Sequence, residues 1–394
     1  MWVFEILLVV YCLKTSIWLL LMLKKKRISR GAEPGPLRSL PSVDIILPMY
    51  NEENVIVNTL NNLLKVTYPN LSIIVVDDGS IDQSLSIVNR EFGGHPRVRI
   101  IHQPNKGKSC ALNNATNSSQ SDIVVCIDAD TLVRPDVIDI IVPYFQDERV
   151  ASVSGYVKVG NRINLITEMQ YFEYMTIQNY DRILFEPLNG ILVVPGALGA
   201  FRRSAVVAVG GFTTDTLAED CDITIRMLCD NYVIRNAADA LAFTEAPATT
   251  AMFFRQRARW TVGLIQGLSK HGRHLFTQRN KALAYMVVPY TWFYRVILPF
   301  FLIMVDYYAI YTILLMSKFE WLKYYLIFFL VDFLTNYYIL IRRKERVGIP
   351  KLILLQRIYR HFTCATFLYV FVKYWQGNLH GWTKIPREGN VELD

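Results

Sequence analysis

Residues 6–23 are apolar save for Lys14, Thr15 and Ser16, and the run stops against Lys24, Lys25, Lys26 and Arg27. About 18 such residues suffice to cross a bilayer core as a helix. A cleaved leader carries its basic residues before the apolar stretch and small residues after it. Here the order is reversed, so the segment is expected to persist as a span with its C-terminal end in the cytoplasm. The chain has 394 residues, 52% hydrophobic and only 19% charged. That composition excludes a disordered chain, a collagen and a small disulfide scaffold.

The remaining oil lies in the last third. Residues 296–316 and 321–341 read as two spans and residues 362–375 as a shorter third, extendable back to Leu352 or re-entrant from there. The basic stretch 342–351 between the last two is expected in the cytoplasm, and residues 282–294, aromatic and broken by Pro289, as an interfacial helix. One span plus three places the carboxyl terminus outside. The expected organisation is an anchor (1–27), a linker (28–42), a catalytic block (43–245), interfacial helices (246–295), about three spans (296–376) and a tail (377–394). The localisation expected is a multi-pass protein of the plasma (inner) membrane with a cytoplasmic catalytic domain. The six cysteines show no CxxC spacing and read as reduced, packed thiols. The net charge of +8 gathers at the membrane edges and gives no nucleic-acid signal.

Between the oily ends, short β-branched runs at 43–47, 72–76, 98–101 and 123–127 alternate with helical spacing at 53–65, 82–91 and 109–118. Such alternation predicts an α/β domain with a mostly parallel sheet, whose ligands bind beyond the carboxyl ends of the strands. At those ends stand PMYNEE (48–53), DDGS (77–80) and DAD (128–130). DDGS alone is also an ordinary turn. In DAD, Asp128 and Asp130 point the same way from extended chain, and two such acids call for a cation between them. Mg²⁺ or Mn²⁺ held jointly with substrate phosphates fits. Lys106 and Lys108 are diphosphate candidates or solvated loop lysines. No P-loop or GxGxxG occurs. In TLAED, Thr216 and Glu219 have capping-box spacing, while Asp220 stands free of that role as a candidate general base. In FFRQRARW, Gln256, Arg259 and Trp260 share a helical face, and Arg255 and Arg257 turn elsewhere, toward headgroups or the domain.

DDGS, DAD, AED and QRARW, in that order between membrane spans, resemble the processive family-2 glycosyltransferases, among them the cellulose, hyaluronan, chitin-oligosaccharide and poly-N-acetylglucosamine synthases. The resemblance covers about residues 43–262 by motif and implies a GT-A fold inserted between transmembrane helices, transferring sugar with inversion. It implies donor contacts at Pro48, Tyr50, Glu52, Asp77, Asp78, Lys106, Lys108 and Asp128, and metal and diphosphate placement by Asp128 and Asp130. Asp220, with Glu219 beside it, would supply the base. Gly196, Gln256, Arg257, Arg259 and Trp260 would line the acceptor and diphosphate end. Ala218 departs from the usual threonine of this pattern, and WTKIPR (382–387) is similar to a cytoplasmic gating loop, which would place the carboxyl terminus inside.

The reading that follows is a membrane-bound processive β-glycosyltransferase using a UDP-sugar, UDP-N-acetylglucosamine by preference, with a growing glycan as acceptor and accessory subunits or self-association completing a conduit. The alternative is a single transfer to a lipid acceptor of ceramide or polyprenyl-phosphate type. A non-enzymatic channel, suggested by Lys14, Arg295 and Asp306 in or beside the spans, leaves the acidic motifs without a role.

Overall fold

The computed structural model describes residues 40–277, 280–312, 320–345, 347–376 and 387–393, together with Ile6, Val9, Val10, Tyr11, Leu13 and Ile17. Most of the expected span over 6–23 and most of the WTKIPR motif therefore fall outside the described residues, with Arg387 inside them.

Eight strands form one sheet: β1 (Val43–Met49), β2 (Leu71–Asp78), β3 (Val98–Gln103), β4 (Ile123–Cys126), β5 (Thr131–Val133), β6 (Val150–Val159), β7 (Gly199–Arg202) and β8 (Val233–Thr244), ordered β3-β2-β1-β4-β7-β6-β8-β5. β3, β2, β1 and β4 run parallel. β7 is antiparallel to both β4 and β6, β6 is parallel to β8, and β5 is antiparallel to β8. The sheet is thus mixed but, as expected, mostly parallel: six strands run one way, and β7 and β5, both in its second half, run the other.

The parallel strands form because they are continuous apolar runs that bury both faces. Ile45, Leu47, Ile73 and Val75 join one core with α1 (Ile56–Leu63) and α2 (Ser84–Phe92). Their neighbours Ile46, Ile74 and Val76 join the other with α3 (Lys108–Ser118), as the two-residue strand period requires. Leu165–Glu173 (α4) begins at a capping box made by Asn164 and Thr167 and passes through a π-helical turn, Tyr174–Gln178, into α5 (Asn179–Phe185). Then come α6 (Glu219–Cys229), the long α7 (Thr250–Thr277), α8 (Leu298–Ile310), α9 (Glu320–Arg342) and α10 (Ile349–Trp375).

Among the described residues one helical stretch, Leu322–Arg342, is long and apolar enough to cross a membrane. Its Leu326, Leu330, Leu334 and Tyr338 are exposed at four-residue spacing. The basic connector after it packs on the sheet domain: Glu345 pairs with Lys158 at 2.7 Å, Lys351 with Glu168 at 2.9 Å, and Arg343 lies 4.1 Å over the Tyr156 ring. α10 follows the same surface along its length. Leu352 and Leu355 enter the first core, Tyr359 meets Phe172, Phe362 meets Phe253 and Phe254, and Tyr369 meets Phe254. Leu354, Leu368, Phe371 and Trp375 face outward.

The tail corrects one expectation. Residues 387–393 were to lie across the membrane from the catalytic block, yet they bind it directly. Glu388 and Gly389 donate their N–H groups to Glu245 at 2.9 Å each, Asn54 Nδ2 donates to the Arg387 carbonyl at 3.3 Å, and Val391 packs with Leu132 and Phe243. The tail and the sheet domain share a side. That is the side the WTKIPR resemblance implied and the count of one span plus three did not.

Candidate active site

The strand ends β1, β2 and β4 lie side by side, with Met49 paired to Asp77 in register. Asn51, at φ 53°, locks the first two loops together: its side-chain oxygen accepts from Ile81 N at 2.8 Å and its own N–H donates to Ser80 Oγ at 2.9 Å. At Gly79, φ 71°, an added Cβ would sit 2.6 Å from Asn105 N, so only glycine lets the DDGS turn approach the NKGK loop. Asp78 builds that loop: it accepts from Gln103 Nε2 at 2.8 Å, Lys106 N at 2.9 Å and Gly107 N at 2.8 Å. Asp77 is fully buried and meets His102 Nδ1 at 2.7 Å, a partner for which the sequence carries no motif. Lys106 contributes its backbone, and its side chain is exposed.

Lys108 turns inward. Its Nζ lies 2.5 Å from Asp128 Oδ1 and 3.3 Å from Glu219 Oε1. Burial alone would lower its pKa, but these carboxylates outweigh burial and raise it. Burial likewise works against ionised Asp128, and Lys108 wins, holding that carboxyl below its usual range. A Cβ at Gly196 would come within 2.7 Å of Lys108 Nζ, so this glycine makes room for the pair.

Asp130 accepts from Thr131 Oγ1 at 3.2 Å and Thr244 Oγ1 at 3.3 Å, and its Oδ2 lies 2.8 Å from Arg387 Nε in the tail. That oxygen is buried and, despite the close guanidinium, receives no aligned hydrogen bond. Arg387 also donates to the Glu245 carbonyl at 2.7 Å. Among the described residues no three His, Cys, Asp or Glu side chains form a metal cage. Two carboxylates with one unsatisfied buried oxygen fit an ion that completes its shell from substrate phosphates, as Mg²⁺ and Mn²⁺ do.

The capping box expected from Thr216 and Glu219 does not form. α6 starts at Ala218 without a side-chain cap, and Glu219 reaches Lys108 instead. Ala218 sits where α6 abuts α7: a Cβ on Gly263 would lie 2.4 Å from the Ala218 Cβ. Asp220 accepts from Cys221 N at 2.8 Å. Its pKa is raised to about 6, first by burial and then by the Glu219 charge, against the opposing pull of Lys108 and Arg259. A carboxylate so placed is a competent proton acceptor near neutrality.

α6 and α7 are riveted by Asp222, which sits at the centre of Lys270 Nζ (2.9 Å), His271 Nε2 (2.9 Å), Arg226 Nε (2.8 Å) and Thr213 Oγ1 (2.8 Å). Along α7, Gln256 is buried with Oε1 unpartnered. Arg257, expected to face either headgroups or the domain, faces the domain and is buried: Nη2 donates to Glu173 Oε2 at 2.7 Å and the guanidinium lies 4.1 Å over the Trp260 ring. It turns inward because α4 and α10 cover that flank of α7 and supply its carboxylate.

One cavity of about 430 Å³ is lined by Lys108, Asp128, Gly196, Glu219, Asp220, Gln256, Arg257, Arg259, Trp260 and Arg387, and extends among α5, α9 and α10 to Tyr11, Asp332 and Arg360. Pro48, Tyr50, Glu52, Asp77, Asp78, Lys106 and Asp130 stand outside its wall.

Residues 44–210 match the Glycosyl transferase family 2. The poly-beta-1,6-N-acetyl-D-glucosamine synthase of Staphylococcus aureus (strain MSSA476) is 28% identical over 57% of this chain and 55% of its own length. That of Staphylococcus epidermidis is 26% identical over the same shares. The chain thus spans about half the length of the curated relatives it matches. The mannosyltransferase PcManGT of Pyrobaculum calidifontis, solved with GDP-Man and Mn²⁺, superposes with a TM-score of 0.63 at 22% identity, covering 95% of this chain and 99% of that one. The shared architecture is a GT-A-like fold.

Proposed function

Taking residues 44–210 as a glycosyl transferase family 2 domain, we propose that this chain is a membrane-bound, inverting, processive glycosyltransferase that extends a β-linked glycan from UDP-N-acetylglucosamine. The observation that carries the reading is a continuous cavity that joins the Lys108–Asp128 pair to Asp220 and Trp260 and runs on between the helices.

The donor lies over the strand ends, its nucleoside toward Pro48, Tyr50, Glu52, Asp77 and Asp78 and its diphosphate toward Lys106, Lys108 and the DAD acids. Asp128 and Asp130 would hold Mg²⁺ or Mn²⁺, which when bound neutralises charge developing on the departing nucleoside diphosphate. Arg259, Gln256 and Arg257 border the same end, and Arg387 reaches it from the tail. Asp220 takes the proton of the acceptor hydroxyl as the new C1–O bond forms opposite the breaking bond to the β-phosphate. Displacement from an α-linked donor gives a β-glycoside. Trp260 offers a flat apolar face on which an acceptor ring rests, and Gly196 leaves it space. Glu219 keeps Asp220 basic.

In this arrangement α8 and α9 make an out-and-back excursion through the bilayer, since the 343–351 connector returns to the domain. α10 lies in the interface with its apolar face outward. The exposed faces of α9 and α10 are open to lipid, an accessory subunit or a second copy. The preference for N-acetylglucosamine rests on the named activity of the staphylococcal relatives. Purified protein given labelled UDP-N-acetylglucosamine and Mn²⁺ is expected to release UDP and build alkali-resistant polymer, both lost in Asp220→Asn. Label found only as one sugar on chloroform-extractable lipid would replace processive synthesis with single transfer to a lipid acceptor.

A further inference from the structure

Beside Asp181 and Glu173 the cavity wall carries three guanidiniums, those of Arg182, Arg257 and Arg295. Arg295 pairs with Asp181 at 2.5 Å and Arg257 with Glu173 at 2.7 Å. Arg182, on the next residue of α5, has no carboxylate within ion-pair distance among the described residues. It is 9% exposed; its Nη2 donates to Asn179 Oδ1 at 2.5 Å, and its Nε has no partner. The Nε and Nη1 of Arg257 are likewise buried without partners. Both side chains line the cavity, as does much of the π-helical turn Tyr174–Gln178 that precedes α5, and such turns recur at functional sites. Burial, then the neighbouring Arg295, pull the Arg182 pKa down to about 10, so it stays charged at neutral pH at an energetic cost. A buried cation without a counter-ion is costly unless a ligand supplies one.

We propose that Arg182 and Arg257 form an anion subsite in this cavity, and that the acceptor carries a phosphate ester seated there. The inference deepens the proposed function by giving the acceptor a charge, and rests on it only for assigning the ligand as acceptor. A guanidinium offers the planar, multi-donor geometry that matches a phosphate. The phosphate is not the nucleophile, because an ionised phosphate needs no base and Asp220 is built as one. The acceptor is therefore a phosphate-linked sugar, on a lipid carrier or in solution.

The test uses full-length protein in phosphatidylcholine nanodiscs, with citronellyl phosphate, citronellol and inorganic phosphate as probes in thermal-shift and equilibrium binding. Citronellyl phosphate is expected to bind and stabilise, and citronellol to do neither. Arg182→Gln is expected to weaken the phosphate ester about tenfold or more, with Arg257→Gln close behind and exposed Arg255→Gln unchanged. Unchanged UDP affinity verifies that Arg182→Gln and Arg255→Gln are folded, and a cooperative thermal transition verifies Arg257→Gln, whose side chain borders the diphosphate end. Equal affinity for inorganic phosphate and the ester assigns a soluble phosphorylated acceptor, and tighter ester binding assigns a lipid-linked one. Equal binding of ester and alcohol, or an Arg182→Gln protein that binds UDP and the ester as wild type does, overturns the subsite. Failure of UDP-N-acetylglucosamine turnover with these phosphate results intact would count against the proposed function alone.

Discussion

The acid limb of the pH profile is where the reading of Asp220 is most exposed to refutation. A base must be ionised to accept a proton, so turnover is lost as pH falls through the raised value of about 6. From pH 7, with about nine-tenths ionised, to pH 5, with about one-tenth, kcat should fall about tenfold. Glu219 is the largest electrostatic contributor after burial. Glu219→Gln should therefore move the limb to lower pH by ~0.5–1, leaving more activity at pH 5 relative to pH 7. Arg259→Gln removes a charge that favours the ionised form and should move the limb the other way. The assay is UDP release at saturating donor and fixed Mg²⁺ from pH 4.5 to 8, with kcat separated from KM. A wild-type profile flat to pH 5, or a Glu219→Gln limb at or above the wild-type position, would falsify the assignment. The linkage has the opposite sign for stability. A carboxyl raised on folding favours the fold below its unfolded value and loses that contribution as pH rises through about 6. Asp220→Asn should therefore raise Tm at pH 7 while abolishing turnover.

Three further outcomes are expected. Gly196→Ala puts a Cβ 2.7 Å from Lys108 Nζ, and should cut kcat/KM about tenfold or more with Tm nearly unchanged; wild-type kinetics would remove Lys108 from the donor site. Chelation with EDTA should stop UDP release and Mn²⁺ should restore it, while Asp130→Asn should raise the Mn²⁺ needed for half-maximal rate; an unchanged titration would free Asp130 of any metal role. Asp222→Ala leaves Lys270 and Arg226 without their buried carboxylate and should destabilise the protein by ~3–5 kcal/mol in thermal unfolding. Its carboxyl is held far below the usual range because hydrogen bonds from His271, Lys270, Thr213 and Arg226 outweigh burial, so this contribution is lost only in strong acid.

The first half of the sheet was readable because its strands are short β-branched runs buried on both faces, a pattern set by neighbours close in sequence. The 72–76 and 98–101 runs became β2 and β3 with ends moved by one or two residues. β6 and β8 went unread: VASVSGYVKV and VIRNAADALAFT mix Ser, Gly, Asn and Ala into their runs and acquire their partners only through long-range pairing. The same holds within the site. Asp128 and Asp220 stand in local motifs at element ends, and Trp260 in one within α7. His102, Asp222, Arg182 and the inward turn of Arg257 depend on which helix covers which, and no spacing encodes that. The tail's place beside Glu245 likewise rests on long-range contacts that a count of apolar runs does not encode.

The matched block ends at residue 210, ten positions short of Asp220, while the cavity takes its walls from α5, α6, α7, α9, α10 and Arg387. A chimera built by transplanting residues 44–210 would carry the strand-end loops, Arg182 and Gly196 without Asp220 or Trp260, its acids opening onto bulk water. Grafting a new sugar preference onto this scaffold therefore means exchanging strand-end loops and leaving everything from Asp220 onward in place. A new acceptor, conversely, calls for changes at Arg182 and Gly196 within the block together with the later helices α6, α7, α9 and α10.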